Sequence, residues 1–221
     1  MPTTLAFDVY GTLINTHGVV QSLEQLIGKQ AQAFSQTWRE KQLEYSFRRG
    51  LMGAYQDFGV CTGQALDYTC DLYQQSLSKE QRSALLDSYS SLPAFADVSD
   101  GLQQLQSRNC RLFAFSNGRG SSVDALLSNA DIRDTFEDIV SCDDIKTFKP
   151  NPEVYAHFLS ATGSSPESTW LISSNPFDVI GAVSAGWQAA WVKRSETAVF
   201  DPWEFEPTTT ITSLGEIAEK L

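Results

Sequence analysis

Short apolar runs, each closing on a polar or turn-forming stretch, alternate along the chain with segments whose apolar positions recur at helical spacing. The runs are Leu5–Asp8, Arg111–Ser116, Asp138–Ser141, Thr169–Ser173 and Ala189–Val192. Apolar side chains on successive positions mark strands buried on both faces. Between them, Leu102 and Leu105 share one helical face, and Val123, Leu126 and Leu127 share another. Val154, Tyr155, Phe158 and Leu159 form a third. Lys149-Pro150-Asn151-Pro152 is a stop-and-start signal: Lys149 begins a helix, and Pro152 suits its first turn. Gly163-Ser164-Ser165-Pro166 and Gly186 end helices. Strands alternating with helices predict an α/β fold built on a parallel, doubly wound sheet.

The stretch from Ile14 to Leu92 breaks this rhythm. It has no strand candidate and is rich in Gln, Ser, Glu and aromatic residues. Trp38, Leu43, Tyr45, Phe47, Leu51 and Tyr55 fit helical faces. The pattern predicts an α/β core from residues 1–13 and 93–221, with a helical lobe of residues 14–92 inserted after the first strand. Ser91-Leu92-Pro93 is the expected return hinge.

Composition narrows the function classes. A chain of 221 residues with 42% apolar and 19% charged side chains can bury one sizeable core. Its net charge of −11 argues against nucleic acid and anionic membranes as partners. An anionic small substrate then needs a locally basic site, so each Lys or Arg near a motif gains weight. Cys61, Cys70, Cys110 and Cys142 are widely spaced, as expected of reduced, mostly buried thiols in a cytoplasmic protein. His17 and His157 share no ligand spacing with them, so no zinc site is expected. No leader-like or membrane-spanning run is read.

Ligands of doubly wound sheets sit at the carboxyl ends of the strands. The polar residues there are Asp8, Ser116-Asn117 and Ser173-Ser174-Asn175, with Lys149 shortly after the third strand. A carboxylate at the end of a buried strand needs a cation or hydrogen-bond donors to stay ionised. Lys149 is the candidate cation. Ser116-Asn117-Gly118-Arg119-Gly120-Ser121-Ser122 follows a strand and opens a helix, where free backbone N–H groups can hold a carboxylate or phosphate. It lacks the third glycine of a dinucleotide fingerprint, and no phosphate-binding G-x-x-x-x-G-K occurs. Asp178, opening a later helix, supplies a second acid. Two acids near one lysine suit a nucleophile and a water-activating base.

Taken together, Asp8-x-Tyr10-Gly11-Thr12, Ser116-Asn117, Lys149-Pro150 and Ser173 to Asp178 resemble the four ordered motifs of the haloacid dehalogenase superfamily. Trp38-Arg39-Glu40-Lys41-Gln42-Leu43-Glu44-Tyr45 looks like the cap signature of its L-2-haloacid dehalogenase (type II) branch. The resemblance implies a Rossmann-like core with an inserted helical cap. A phosphatase of this superfamily carries an acid two residues after the nucleophile, where this chain has Tyr10. It carries a metal-binding acid four residues before the last Asp, where this chain has Ser174. A metal-free site without cofactors is therefore expected.

The resemblance further implies that Asp8 displaces halide from C2 of a short L-2-haloalkanoate with inversion. Water then attacks the aspartyl ester and frees the 2-hydroxy acid. Asp178 and Lys149 orient that water, while Thr12 and Ser173 hold the carboxylates. Ser116 and neighbouring backbone amides bind the substrate carboxylate, and Arg39 and Asn117 receive the halide. Val9, Tyr10, Leu43, Phe58, Asn175 and Phe177 line the substrate pocket, with Asn175 also counted in the catalytic set. Tyr155 supports Asp178 or Lys149. Relatives form homodimers, so a homodimer is implied. Two departures stand out: Glu40 replaces a Gln beside Arg39, and Phe177 replaces a Trp. The alternatives kept open are a magnesium-dependent phosphate-monoester hydrolase of the same fold and a catalytically silent binder of small carboxylates.

Overall fold

The structure, a computed structural model, describes residues 2–221. Met1, the first residue of the expected core segment, lies outside the described residues. β1 (Thr4–Asp8), β2 (Arg111–Ser116), β3 (Asp138–Ser141), β4 (Thr169–Ser173), β5 (Gln188–Val192) and β6 (Thr209–Ile211) form one parallel sheet, ordered β3-β2-β1-β4-β5-β6. The apolar runs of the sequence become the first five strands. β6 has no such signal: of its three residues only Ile211 is buried, and the strand pairs on one side with β5.

The strand order places the site. From β1 the chain steps outward to β2 and β3, then returns to the other side of β1 as β4. The order reverses between β1 and β4, so their carboxyl ends open on the crevice where such sheets take ligands. Strand alternation then aims the side chains. Leu5 and Phe7 pack with Leu102, Leu105 and Val123 on one face, while Ala6 packs with Phe115, Tyr155 and Phe158 on the other. Asp8 continues the Ala6 side and so emerges beside Lys149, Tyr155 and Asp178.

The insert after β1 holds α1 (Val19–Ile27), α2 (Ala31–Leu51), α3 (Phe58–Leu72) and α4 (Lys79–Ser88). They close around Val19, Leu23, Phe34, Trp38, Leu66 and Leu85. The Asp57 side chain caps α3 by accepting from Val60 N at 3.1 Å, and Ser78 with Gln81 forms a capping box on α4. Outgoing and returning chains meet on one seam: Asn15 N donates to Pro93 O at 2.8 Å, and Phe95 N donates to Leu13 O at 2.9 Å. The helical reading of this stretch needs one correction: Tyr55 lies in the loop between α2 and α3, whereas Leu51 ends α2 as read and is 90% exposed.

The sheet is flanked by α5 (Val98–Gln106), α6 (Gly120–Asn129), α7 (Pro152–Thr162) and α8 (Pro176–Ser184). Lys149 does not begin α7, contrary to the sequence reading. Each proline disfavours the helical region for the residue before it. The helix therefore starts only at Pro152, with Asn151 as its cap and Gly163 closing it at φ 63°. Lys149 is left on the preceding loop and is 1% exposed.

Candidate active site

Lys149 is the hub. Its Nζ donates to Asp178 Oδ2 at 2.8 Å, to the Phe115 carbonyl at 2.8 Å and to Asp8 Oδ1 at 3.3 Å. It also lies 4.0 Å from the centroid of the Phe115 ring. All three ammonium protons are thereby engaged. Burial alone would lower the pKa of this amine, but the charges of Asp178 and then Asp8 outweigh it and hold the pKa above its ordinary value. The ammonium stays charged at the floor of the site.

Asp8, at the end of β1, is 8% exposed. Its Oδ2 accepts from Thr12 Oγ1 and from Asn175 Nδ2, each at 2.7 Å. Its Oδ1 has only the longer Lys149 contact. The β1 turn is held from several sides. Ser174 N donates to Thr12 Oγ1 at 2.8 Å, and Ser174 Oγ donates to the Gly11 carbonyl at 2.7 Å. Arg194 Nη2 donates to the Thr12 carbonyl at 2.7 Å, while Arg194 Nη1 bridges both oxygens of Asp97.

Asp178 is fully buried on the first turn of α8. Besides Lys149, it accepts from Tyr155 Oη at 2.9 Å. Burial pushes its pKa above the usual carboxylate range, and the Lys149 charge offsets only part of that. Tyr155 is also fully buried; burial first, then the Asp178 charge, hold its phenol well above its ordinary value, so it acts only as a donor. Gly181, one turn along α8, makes room for it. A Cβ there would lie 2.7 Å from Tyr155 Cζ and 2.9 Å from Pro150 Cβ.

The remaining expected site residues fall into three groups. Arg39, on α2, reaches the turn: Nη2 donates to the Tyr10 carbonyl at 3.3 Å and Nη1 to Gln42 Oε1 at 3.5 Å. Glu40 is exposed and accepts from Gln36 Nε2 at 2.7 Å, so its charge points into solvent. Asn117 Oδ1 accepts from Lys149 N at 2.8 Å, leaving its amide donors as the group available to a ligand. Ser116 Oγ accepts from Gly118 N at 3.0 Å at the loop leading into α6.

Tyr10 and Phe58, with ring centroids 6.1 Å apart, line a cavity of about 200 Å³ together with Gly118, Arg119 and Tyr89. Burial raises the Tyr10 phenol to about 12 despite Arg39 beside it, so it offers no general acid near neutrality. Leu43 is half-buried on α2. Phe177 turns the other way and meets Phe47 edge to face.

Two expectations are corrected. Ser173 Oγ accepts from Asn175 N at 3.1 Å, closing its own turn rather than holding a carboxylate. The Val9 side chain is fully buried in the core with Leu5 and Phe7, so only its backbone is left for a ligand. Sequence reading passed over Gln42 and Tyr89. Gln42 is fully buried and donates to Tyr89 Oη at 2.9 Å while accepting from Arg39. Its signal was present: a polar residue in the buried series Trp38, Gln42, Ser46, spaced like one helical face.

This donor set does not fit a magnesium ion. Mg²⁺ prefers octahedral oxygen ligands, carboxylates among them. Here the space between the carboxylates of Asp8 and Asp178 is bridged by an ammonium group. Among the described residues, no group of three or more His, Cys, Asp or Glu side chains is placed to hold a metal.

A model of haloacid dehalogenase-like hydrolases matches residues 2–186. The chain belongs to that family. Among its relatives is an (S)-2-haloacid dehalogenase of Pseudomonas sp. (strain YL), 36% identical over 215 residues, a match covering 97% of this chain and 92% of the other. Haloacetate dehalogenase H-2 of Moraxella sp. (strain B) is 36% identical over 213 residues, covering 96% and 95%. The L-2-haloacid dehalogenase of Xanthobacter autotrophicus, solved with chloropropionic acid covalently bound, superposes with a TM-score of 0.92 at 29% identity, covering 99% and 98%. The haloacid dehalogenase-like fold thus extends through the helical insert as well as the sheet.

Proposed function

We propose that the protein is an L-2-haloacid dehalogenase that hydrolyses short 2-haloalkanoic acids to 2-hydroxy acids through an ester on Asp8, without a metal ion. One observation carries this reading: the Asp8 carboxylate shares a buried ammonium with a second, fully buried carboxylate, and Tyr10 stands where a phosphatase needs an acid. The similarity to haloacid dehalogenases over almost the whole chain supports it.

The geometry supports the following roles. Asp8 Oδ1 is the less hydrogen-bonded oxygen and attacks C2, while Thr12 and Asn175 hold Oδ2 in place. Holding the nucleophile within reach of the carbon–halogen bond in a dry pocket supplies much of the rate. Arg39 and Asn117 receive the departing halide. Ser116 and the backbone amides around it hold the substrate carboxylate. The bond made is Asp8 O–C2 and the bond broken is C2–halogen, whose electron pair leaves with the halide. Water then adds to the Asp8 carboxyl carbon. Asp178, whose raised pKa makes it a better base, takes a proton from that water. The ester C–O bond breaks on the Asp8 side, so solvent oxygen enters the enzyme first. Residues 14–92 act as a cap over this floor. The four free thiols support a reducing, cytoplasmic setting. Exposed Tyr68 and Leu72 on α3 support a homodimer.

The test is chloride release from L-2-chloropropionate with excess chelator, paired with single-turnover hydrolysis in heavy-oxygen water. Turnover that survives chelation, with label on Asp8 and not in the first product, is expected. Magnesium-dependent release of phosphate from a monoester, without chloride release, would establish the phosphatase alternative, and binding of the haloacid with neither would establish the silent one.

A further inference from the structure

The cavity lined by Tyr10 and Phe58 carries a cation that the reaction, as described so far, does not use. Arg119, the residue before α6, lines it from the core, and Asp57 and Thr62 line it from the insert. Among the lining residues only Arg119 is cationic. Its side chain is 57% exposed, which places it on the rim. The nearest counter-charge is Asp57 Oδ2, 3.8 Å from Arg119 Nη1 and too far for a hydrogen bond. The other oxygen of Asp57 is spent on the α3 cap, accepting from Val60 N. Asp143, a second acid in the field of Arg119, is held by Tyr55 Oη at 2.6 Å and by Lys146 Nζ at 3.0 Å. The Arg119 fork is thus loosely paired and open to an anion. On a chain of net charge −11, which repels anionic substrates at long range, such a cation matters.

The cavity backs onto the donors assigned to the substrate carboxylate. Gly118, on its wall, donates its N–H to Ser116 Oγ at 3.0 Å. A Cβ on Gly118 would lie 3.3 Å from Tyr10 Cε2 and 3.4 Å from Ser116 Oγ. The glycine therefore keeps clear the space between the cavity wall and Ser116. Tyr10, on the same wall, accepts from Arg39 through its carbonyl at 3.3 Å. We propose that this cavity admits the substrate, and that Arg119 captures its carboxylate at the rim before the donors around Ser116 take it. An exposed ion pair is weak, so the anion is passed inward rather than trapped. The inference rests on the dehalogenase reading above and adds an entry site to it.

The experiment measures chloride release from L-2-chloropropionate at low and high salt in the wild type, Arg119→Gln, Arg119→Lys, Asp57→Asn and Ser122→Trp. Arg119→Gln should raise KM by about three- to fivefold and leave kcat within about twofold, the pattern of a lost binding contact. It should also flatten the fall of kcat/KM with salt, because the charge that salt screens is gone. Capture needs charge rather than a planar fork, so Arg119→Lys should restore both KM and the salt response. Asp57→Asn keeps the α3 cap and frees Arg119, so KM should fall by about twofold. Ser122 is exposed on the first turn of α6 and lines the cavity, so Ser122→Trp plugs it. That variant should lose at least as much kcat/KM as Arg119→Gln. A KM and salt response unmoved by Arg119→Gln overturn the proposal, as does a loss confined to kcat or one that Lys fails to rescue. Wild-type kcat/KM in Ser122→Trp overturns the entry route. If Arg119→Gln is insoluble, Asp57→Asn decides alone, and an unmoved KM there is the refuting result. A wild type that releases no chloride sinks the dehalogenase reading, and this inference with it.

Discussion

Tyr155→Phe deletes one hydroxyl from the buried triad and should shift the acid limb of activity upward. Tyr155 Oη lies 2.9 Å from Asp178 Oδ1 and 3.2 Å from the Asp178 carbonyl, so its proton is shared between them. Burial and the Asp178 charge keep the phenol protonated, so it can only donate, and it favours the ionised carboxylate. A hydrogen bond to a charged group contributes about 1.5–3 kcal/mol. One pH unit corresponds to about 1.4 kcal/mol. Because the proton is shared, the lower end applies, and the limb should rise by about one pH unit.

The sign is fixed by the native state. Asp178 already titrates above its ordinary value, since burial outweighs Lys149. Losing a donor favours the protonated form further. The folded state then binds a proton that the unfolded state releases, so stability falls as pH rises from the unfolded value through the folded one. In the variant that decline extends to higher pH. The assay is kcat against pH by chloride release, with urea unfolding on either side of the limb. A folded variant whose acid limb stays put would show that Asp178 is not the group being titrated, or that Tyr155 is not its donor.

Three further outcomes are expected. Asp8→Asn should fall below about a thousandth of wild-type turnover, a barrier increase of about 4 kcal/mol. It should remain folded, because Lys149 keeps Asp178 and the Phe115 carbonyl; wild-type rates would mean another nucleophile. Arg39→Lys should lose about tenfold or more in kcat/KM, since a point charge cannot reach the Tyr10 carbonyl, Gln42 and a halide together as the planar fork does. Unchanged kinetics would remove the halide role. Gly181→Ala should reproduce the raised acid limb of Tyr155→Phe and also lower the melting temperature, because the new methyl displaces the Tyr155 ring. A normal pH profile in that variant would show that the ring can yield without losing Asp178.

What the sequence revealed and what it hid divide along a physical line. The strand ends were legible because turn chemistry is local. Asp8 with Thr12, Ser116 with Gly118, and Ser173 with Asn175 are each bonded within four residues. Lys149 was legible as a cation, but its burial was not, because the prolines that unseat it from α7 also turn it toward two carboxylates 29 and 141 positions away. Contacts with no local signature stayed hidden: Arg194 on the Thr12 carbonyl and Phe47 on Phe177. Val9 and Ser173 were misjudged for a related reason. Membership of a motif places a residue at the strand end, but pleat direction and turn closure decide whether its side chain faces the ligand, the core or its own backbone.

Among the contacts that tie the insert to the core, Arg39 reaches the β1 turn and Phe47 meets Phe177 of α8. The floor of charges is specified by the sheet, and its polar groups satisfy one another without the insert. That separation is why a change at Arg39 should lower kcat/KM without moving the acid limb, while a change at Tyr155 should move the limb.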